Sequence, residues 1–275
     1  MYDFYFGTKE EVDSDPKKFL LTIKRMLPRW CNSIPDSEYL ALYDVISGMP
    51  LPDKPVFVET GSGASTIVLC YFALKTGGEV FTWDINGCKL AYLRSVLNDT
   101  LMRHYEEKNL NNHWKYITFD SNSDFAGINV LKELDKKVSV CFLDSEHTLN
   151  TLMKELASVC EVLADSAIVA IDDGNYFYIS HNTAYINMVR RKIGLLPIQD
   201  SSDNIGRNFW KEVNDYLVAN FKEVEYIKDS YKDNYRTDIF WTYFKSDRET
   251  MANLCMEKTD DLEHRFDAWK VSMRK

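Results

Sequence analysis

The sequence predicts an α/β fold: a doubly wound, mostly parallel seven-stranded sheet with an antiparallel final hairpin and helices on both faces. Three observations carry this. Between residues 56 and 193, five short apolar runs alternate with stretches whose apolar residues recur at helical spacing, the order that gives parallel strands covered on both sides by helices. The first run, Val56-Phe57-Val58, stops at Glu59 and passes through Thr60-Gly61-Ser62-Gly63 straight into a helical pattern. Strand, glycine turn and helix make a nucleotide-cofactor loop, because glycines let the backbone approach a ligand and the helix start offers free N–H groups. Near the C-terminus, two strand-like runs at 224–227 and 237–244 are separated only by a polar segment, which reads as a hairpin.

Each element follows in order. Phe19, Leu20, Ile23, Met26 and Leu27 recur at helical spacing, as do Tyr39, Leu42, Tyr43 and Ile46, with Asp36-Ser37 as the N-cap region of the second helix. Pro50, Pro52 and Pro55 end that pattern. Strand 56–59 leads to helix 65–75, and strand 79–84 to helix 89–105, with Leu90, Leu93, Leu97 and Leu101 on one face. Strand 114–119 leads to a helical stretch at 125–134, and strand 138–143 to a helix carrying Leu149, Leu152, Met153, Leu156, Cys160 and Leu163. Strand 167–171 leads to 183–193. The crossovers are expected to be right-handed. A polar loop at 200–206, a helix at 208–221 and the hairpin follow, and the charged tail from Asp247 reads as a surface helix. The expected organisation is a helical cap at 1–54, a core at 55–246 and a helical tail at 247–275.

Composition narrows the classes. With 275 residues, 45% of them hydrophobic, the chain can bury a sizeable core. A net charge of −9 argues against a general nucleic-acid binder. The six cysteines show no C-x-x-C spacing, and Cys70, Cys141 and Cys160 sit in apolar runs, as reduced core residues of a cytoplasmic protein do. The start of the chain lacks the pattern of a signal peptide, and the apolar run 67–74 is too short to span a bilayer. Lys17, Lys18, Lys24, Arg25 and Arg29 read as a solvated helix face rather than a set attracting an anionic substrate, and His104 and His113 as solvated loop residues.

Every strand ends in an acid or reaches one within a residue: Glu59, Asp84, Asp120, Asp144 and the pair Asp172-Asp173. In a doubly wound sheet, ligands sit outside the carboxyl ends of the strands, so this row of acids predicts a shared ligand site. A dinucleotide is disfavoured. The G-x-G-x-x-G fingerprint needs a third glycine where Thr66 stands, and Glu59 sits badly beside a pyrophosphate. No G-K-[ST] follows the glycines, which removes a P-loop.

This order resembles the Rossmann-like, class I S-adenosylmethionine-dependent methyltransferases over residues 56–244. Glu59-Thr60-Gly61-Ser62-Gly63 looks like their first motif, an acid followed by G-x-G, and Asp84 matches the acid that binds both ribose hydroxyls. Asp120 falls where the family often contacts adenine, with Asn122 and Asp124 as substitutes. The resemblance implies S-adenosyl-L-methionine held by Glu59, Thr60, Gly61, Ser62, Gly63, Ser65, Asp84, Asp120 and Asp144.

Asp144-Ser145-Glu146-His147 and Asp172-Asp173-Gly174-Asn175 follow the fourth and fifth strands. Three carboxylates on neighbouring strand ends make a hard oxygen set suited to Mg²⁺ or Ca²⁺. The set is similar to that of the metal-dependent O-methyltransferases of the catechol and macrocin types. It implies Asp144, Asp172 and Asp173 as metal ligands. The base, a lysine in the catechol type, falls at His147 here, with His181 behind it and Asp144 beside it; Asn175 stands where some macrocin-type enzymes carry a histidine. Tyr176, Phe177 and Tyr178 read either as a substrate-pocket wall or as core. The expected activity is methyl transfer to a hydroxyl of a small molecule or a sugar or glycan intermediate, with the N-terminal helices shaping the acceptor pocket and making homodimer contacts. The alternatives are a cofactor-binding module without transferase activity and an NAD-dependent oxidoreductase on a similar fold.

Overall fold

The computed structural model of the chain describes residues 2–32, 34–121, 127, 129–146, 148–172, 174, 187–188, 190–197, 207–227 and 266–275. The strands are β1 (Val56–Thr60), β2 (Glu79–Asp84), β3 (Trp114–Thr118), β4 (Val138–Leu143), β5 (Leu163–Ile171), β6 (Phe221–Ile227) and β7 (Asp267–Arg274). They form one seven-stranded sheet in the order β3-β2-β1-β4-β5-β7-β6. The first five run parallel, while β7 is antiparallel to both β5 and β6. The expected doubly wound sheet with an antiparallel end is the observed one.

The helices are α1 (Tyr2–Phe6), α2 (Lys9–Ser14), α3 (Pro16–Met26), α4 (Asp36–Ser47), α5 (Ala64–Thr76), α6 (Gly87–Asp99), α7 (Leu101–His104), α8 (Leu110–His113), α9 (Asn129–Glu133), α10 (Leu149–Cys160) and α11 (Phe209–Asn220). They divide between the two faces, because successive residues of a strand point to opposite sides. Phe57 and Phe142 pack with α3 to α8, whereas Val58, Cys141 and Val169 pack with α9, α10 and α11. α5 is buried from Ala64 through Leu74, since α3 and α4 cover the side turned away from β1 and β2. That is why its apolar residues do not keep to one stripe.

Local chemistry sets several boundaries. Asp15 caps α3 by accepting from the Lys18 N–H, with Pro16 at the first helical position. Thr148 caps α10 and Asn208 caps α11. Asp36, expected in an N-cap region, is instead the first residue of α4 and has no capping bond; its carboxylate pairs with Lys24 and Arg25. The long helix expected at 89–105 breaks at Thr100, whose hydroxyl donates back to the Val96 carbonyl. Lys24 is fully buried over the Tyr39 ring and His104 packs between Phe19 and Tyr105, so neither has the solvated place expected of it.

The C-terminus differs most from expectation. Residues 237–244, read as the second hairpin strand, lie outside the described residues. Residues 267–274, read as part of a helical tail, are β7 and fill the sheet between β5 and β6. Trp269 and Val271 are fully buried on one side while Lys270 and Ser272 reach partly into solvent. This two-residue alternation is a strand signal, but it is short and follows a long charged stretch.

Candidate active site

The loops leaving β1, β2, β3 and β4 enclose a cavity of about 590 Å³, within the range of small-molecule sites. Gly61, Ser62, Asp84, Asp120 and Asp144 all line it. In the sheet order these strands are consecutive neighbours, from β4 through β1 and β2 to β3, so an elongated ligand can lie across four strand ends.

The turn after β1 requires its first glycine. Gly61 has φ +81°, the left-handed region, and a Cβ there would run into the Asp144 carbonyl. Its N–H donates to the Trp83 carbonyl at 2.8 Å, while the Asp144 N–H donates to the Thr60 carbonyl at 3.0 Å. The three strand ends are thereby locked in register. At the place of a dinucleotide fingerprint's third glycine, the Thr66 hydroxyl accepts the Gly63 N–H at 3.0 Å. That bond uses a donor a pyrophosphate would need.

Asp84 is nearly buried and collects donors. It accepts the N–H and hydroxyl of Ser62 at 2.7 and 2.6 Å, and the N–H of Asn86 at 2.6 Å. Lys89 reaches the same carboxylate at 3.2 Å and the Ser62 carbonyl at 2.9 Å. Tyr116 donates to the Asn86 carbonyl at 2.8 Å, and burial pushes its phenol pKa upward. Neither Lys89 nor Tyr116 stood out in the sequence, because each is an ordinary residue within an amphipathic element.

Glu59, Thr60, Gly63 and Ser65, also expected at the cofactor, are not among the residues lining the cavity. Glu59 is fully buried and accepts from Ser65 and Thr82 at 2.8 and 2.7 Å. Burial raises its carboxyl pKa to about 7, against the opposing pull of hydroxyl donors from Thr66, Thr82 and Ser65. A second buried acid, Glu155 of α10, accepts from the Thr60 hydroxyl at 2.8 Å. Burial raises it to about 7 as well. These two acids form a floor beneath the glycine turn. Glu155 was missed because it reads as one polar residue within an apolar helical stripe.

Asp120 and Glu146, from the loops after β3 and β4, meet on one guanidinium. Arg190 donates to Asp120 at 2.7 and 3.3 Å and to Glu146 at 2.9 Å. Glu146 in turn accepts from Thr151 at 2.8 Å, at the start of α10.

Residues 58–174 match the family model described as a methyltransferase domain. The O-methyltransferase from Bacillus cereus in complex with SAH shares the fold. It is 13% identical, with 99% of this chain and 100% of that one aligned and a TM-score of 0.52. Two further solved structures align at lower scores. YjhP from E. coli is 12% identical, covers 93% of this chain and 99% of its own, and has a TM-score of 0.47. A SAM-dependent methyltransferase from Geobacter sulfurreducens in complex with S-adenosyl-L-homocysteine is 14% identical, covers 93% and 98%, and has a TM-score of 0.43. No curated protein matches the sequence.

Of the three expected metal ligands, Asp144 and Asp172 are described and stand on neighbouring strand ends, one residue past the paired Leu143 and Ile171. Asp144 faces the cavity, while Asp172, at the end of β5, is buried and does not line it. Asp173 lies outside the described residues, as do His147, His181, Asn175, Asn122, Asp124 and the aromatic run 176–178. No three His, Cys, Asp or Glu side chains among the described residues are grouped to hold a metal ion. No step is derived through a cation. Nor do residues 1–54 contribute to the described cavity lining; the cap packs on α5, with the Cys31 carbonyl against Gly63.

Beyond β5 the rim carries a further acid that the sequence did not suggest. Asp267 opens β7 beside Ile171, is fully buried and accepts from the Tyr226 hydroxyl. A Cβ on Gly174 would strike its carboxylate, so glycine is required there by a neighbour remote in sequence. Among the described residues no helix is long and apolar enough to cross a membrane.

Proposed function

We propose that the chain is an enzyme transferring the methyl group of S-adenosyl-L-methionine to a hydroxyl of a small molecule, with sugars and glycan intermediates as the favoured class. One observation carries this reading: the glycine turn, Asp84, Asp120 and Asp144 line one cavity across four adjacent strand ends. The cofactor is a sulfonium cation, and acids on the wall favour it over its uncharged thioether product. In the reaction the acceptor oxygen bonds to the methyl carbon and the carbon–sulfur bond breaks. Its electron pair goes to sulfur, and the hydroxyl proton leaves to a base. Asp144 is the described acid at the end of β4 that faces the cavity, and in this reading it takes or orients that proton. His147 and His181 are the other proposed bases.

Incubation with methyl-labelled S-adenosylmethionine and panels of phenols, alcohols and sugars tests the proposal. Label should appear as an acid-stable ether, and Asp144→Asn should lower kcat by about 100-fold or more. Label found only on nitrogen or carbon, or a full rate in the Asn variant, contradicts the hydroxyl reading. A protein that binds cofactor yet turns over nothing across these panels is the non-catalytic module. The same assay addresses magnesium. Activity lost in EDTA and restored by Mg²⁺ favours a site at Asp144, Asp172 and Asp173, and unchanged activity removes the cation from the proposal.

A further inference from the structure

Arg190 stands out because of where its partners come from. Its side chain is 5% exposed. Four contacts occupy its guanidinium: the Asp120 carboxylate through both oxygens, Glu146, and the Leu196 carbonyl at 2.7 Å. Asp120 follows β3 and Glu146 follows β4, which stand three places apart in the sheet. At about 4.8 Å per strand, those strands are roughly 14 Å apart. One guanidinium thus joins loops from the two ends of the cavity. The segment carrying it also contributes Ile193 and Leu195 to the cavity wall.

The wall composition indicates which part of the ligand lies there. Ile85, Phe119, Ile193 and Leu195 give apolar surface beside Asp120, which suits the faces of a heteroaromatic base. The edge of that base then meets a carboxylate. An ionised carboxylate only accepts hydrogen bonds, so it favours an amino group and opposes a carbonyl at the same position. The guanidinium fork fixes the paired Asp120 carboxylate, whereas its loss leaves the acid in the wall with no such anchor.

We propose that Arg190 is a positioning residue for cofactor selection: by clamping Asp120 and Glu146 it holds an acceptor edge that reads a 6-amino purine, and it pins Ile193 and Leu195 over the base. This rests on the S-adenosylmethionine reading and adds to it a residue outside the matched domain segment. Arg190 does not touch the reacting atoms; it acts through Asp120.

Calorimetry with S-adenosylhomocysteine and its 6-oxo counterpart, S-inosylhomocysteine, tests it on the full chain. The wild type should bind the amino compound at least tenfold more tightly. Arg190→Ala should weaken the amino compound by tenfold or more and bring the ratio of the two towards one. Arg190→Lys should keep part of both, since lysine supplies the charge but not the fork. Asp120→Asn, which leaves the wall volume unchanged, should collapse the ratio even if Arg190→Ala does not fold. An unchanged ratio in folded Arg190→Ala or in Asp120→Asn overturns the proposal while leaving cofactor binding intact. Failure of the wild type to bind either compound instead overturns the underlying reading.

Discussion

The acids of the cavity wall and those of the floor beneath it live under opposite conditions. Asp84 and Asp120 face backbone N–H groups, a lysine and an arginine. Glu59 and Glu155 are fully buried, and their donors are hydroxyls, those of Thr66, Thr82 and Ser65 for Glu59 and those of Ser121, Thr60 and Ser145 for Glu155. Hydroxyl donors offset only part of the desolvation of a carboxylate, so both floor acids titrate near 7. The wall acids line the cavity, whereas the floor acids are turned inward onto β1, β2 and α5. The sequence shows all of them alike as acids near strand ends or on a helix, and only burial and donor type separate them.

Substitution separates the two sets of acids. The largest expected effect is on the wall: Asp84→Ala should weaken S-adenosylhomocysteine binding by at least 100-fold, because two N–H groups and Lys89 lose their acceptor as well as the ligand losing its own. The far-UV spectrum should be unchanged. If affinity stays within threefold, Asp84 is not at the ligand.

Next comes the turn. Gly61→Ala places a methyl in the left-handed region and against the Asp144 carbonyl, and should cost about 3 kcal/mol or more in denaturant unfolding. Gly77→Ala shares the positive φ but meets no atom within 4 Å, and should cost about 1 kcal/mol. Equal losses at the two sites would show that the close approach to β4 does not matter.

The floor gives a pH signature. Each floor acid has a folded pKa raised from the ordinary value near 4.5 to about 7, so the folded state binds more protons than the unfolded state between those values. Stability must therefore fall as pH rises from about 4.5 to about 7, by on the order of 3 kcal/mol per group. Glu155→Gln keeps an acceptor for Thr60 without the charge, and should be more stable than the wild type at pH 8 and close to it at pH 4. Parallel unfolding curves for wild type and variant across that range would remove Glu155 from the titration.

The smallest effect belongs to the rim of the wall. Lys89 is partly exposed and its salt bridge is one of several bonds to Asp84, so Lys89→Met should change stability by less than about 1 kcal/mol. Its effect on cofactor affinity should be several-fold at most.

Most of the sheet was legible because β1 to β5 are apolar runs closed by turn residues, and their crossover helices repeat at the right spacing. The glycine turn and Asp84 were legible for the same local reason. What escaped depends on contacts between distant segments. Nothing near Arg190 in the sequence distinguishes it from Arg191 or Lys192. Asp267 gains its place from β5, almost a hundred positions earlier, and β7 carries only a brief alternation to mark it. Glu59 was read as a ligand residue because motif position gives a residue's address but not the direction of its side chain. The structure turns it inward to Ser65 and Thr82.

In the proposed reading, the cavity across β4, β1, β2 and β3 is the site of an S-adenosylmethionine cofactor. Isothermal titration of the purified chain with S-adenosylhomocysteine tests it most directly. One site per chain is expected, with a dissociation constant in the micromolar range or tighter, lost in Asp84→Ala. A folded wild-type protein that gives no binding heat at millimolar ligand, at two temperatures, would contradict it.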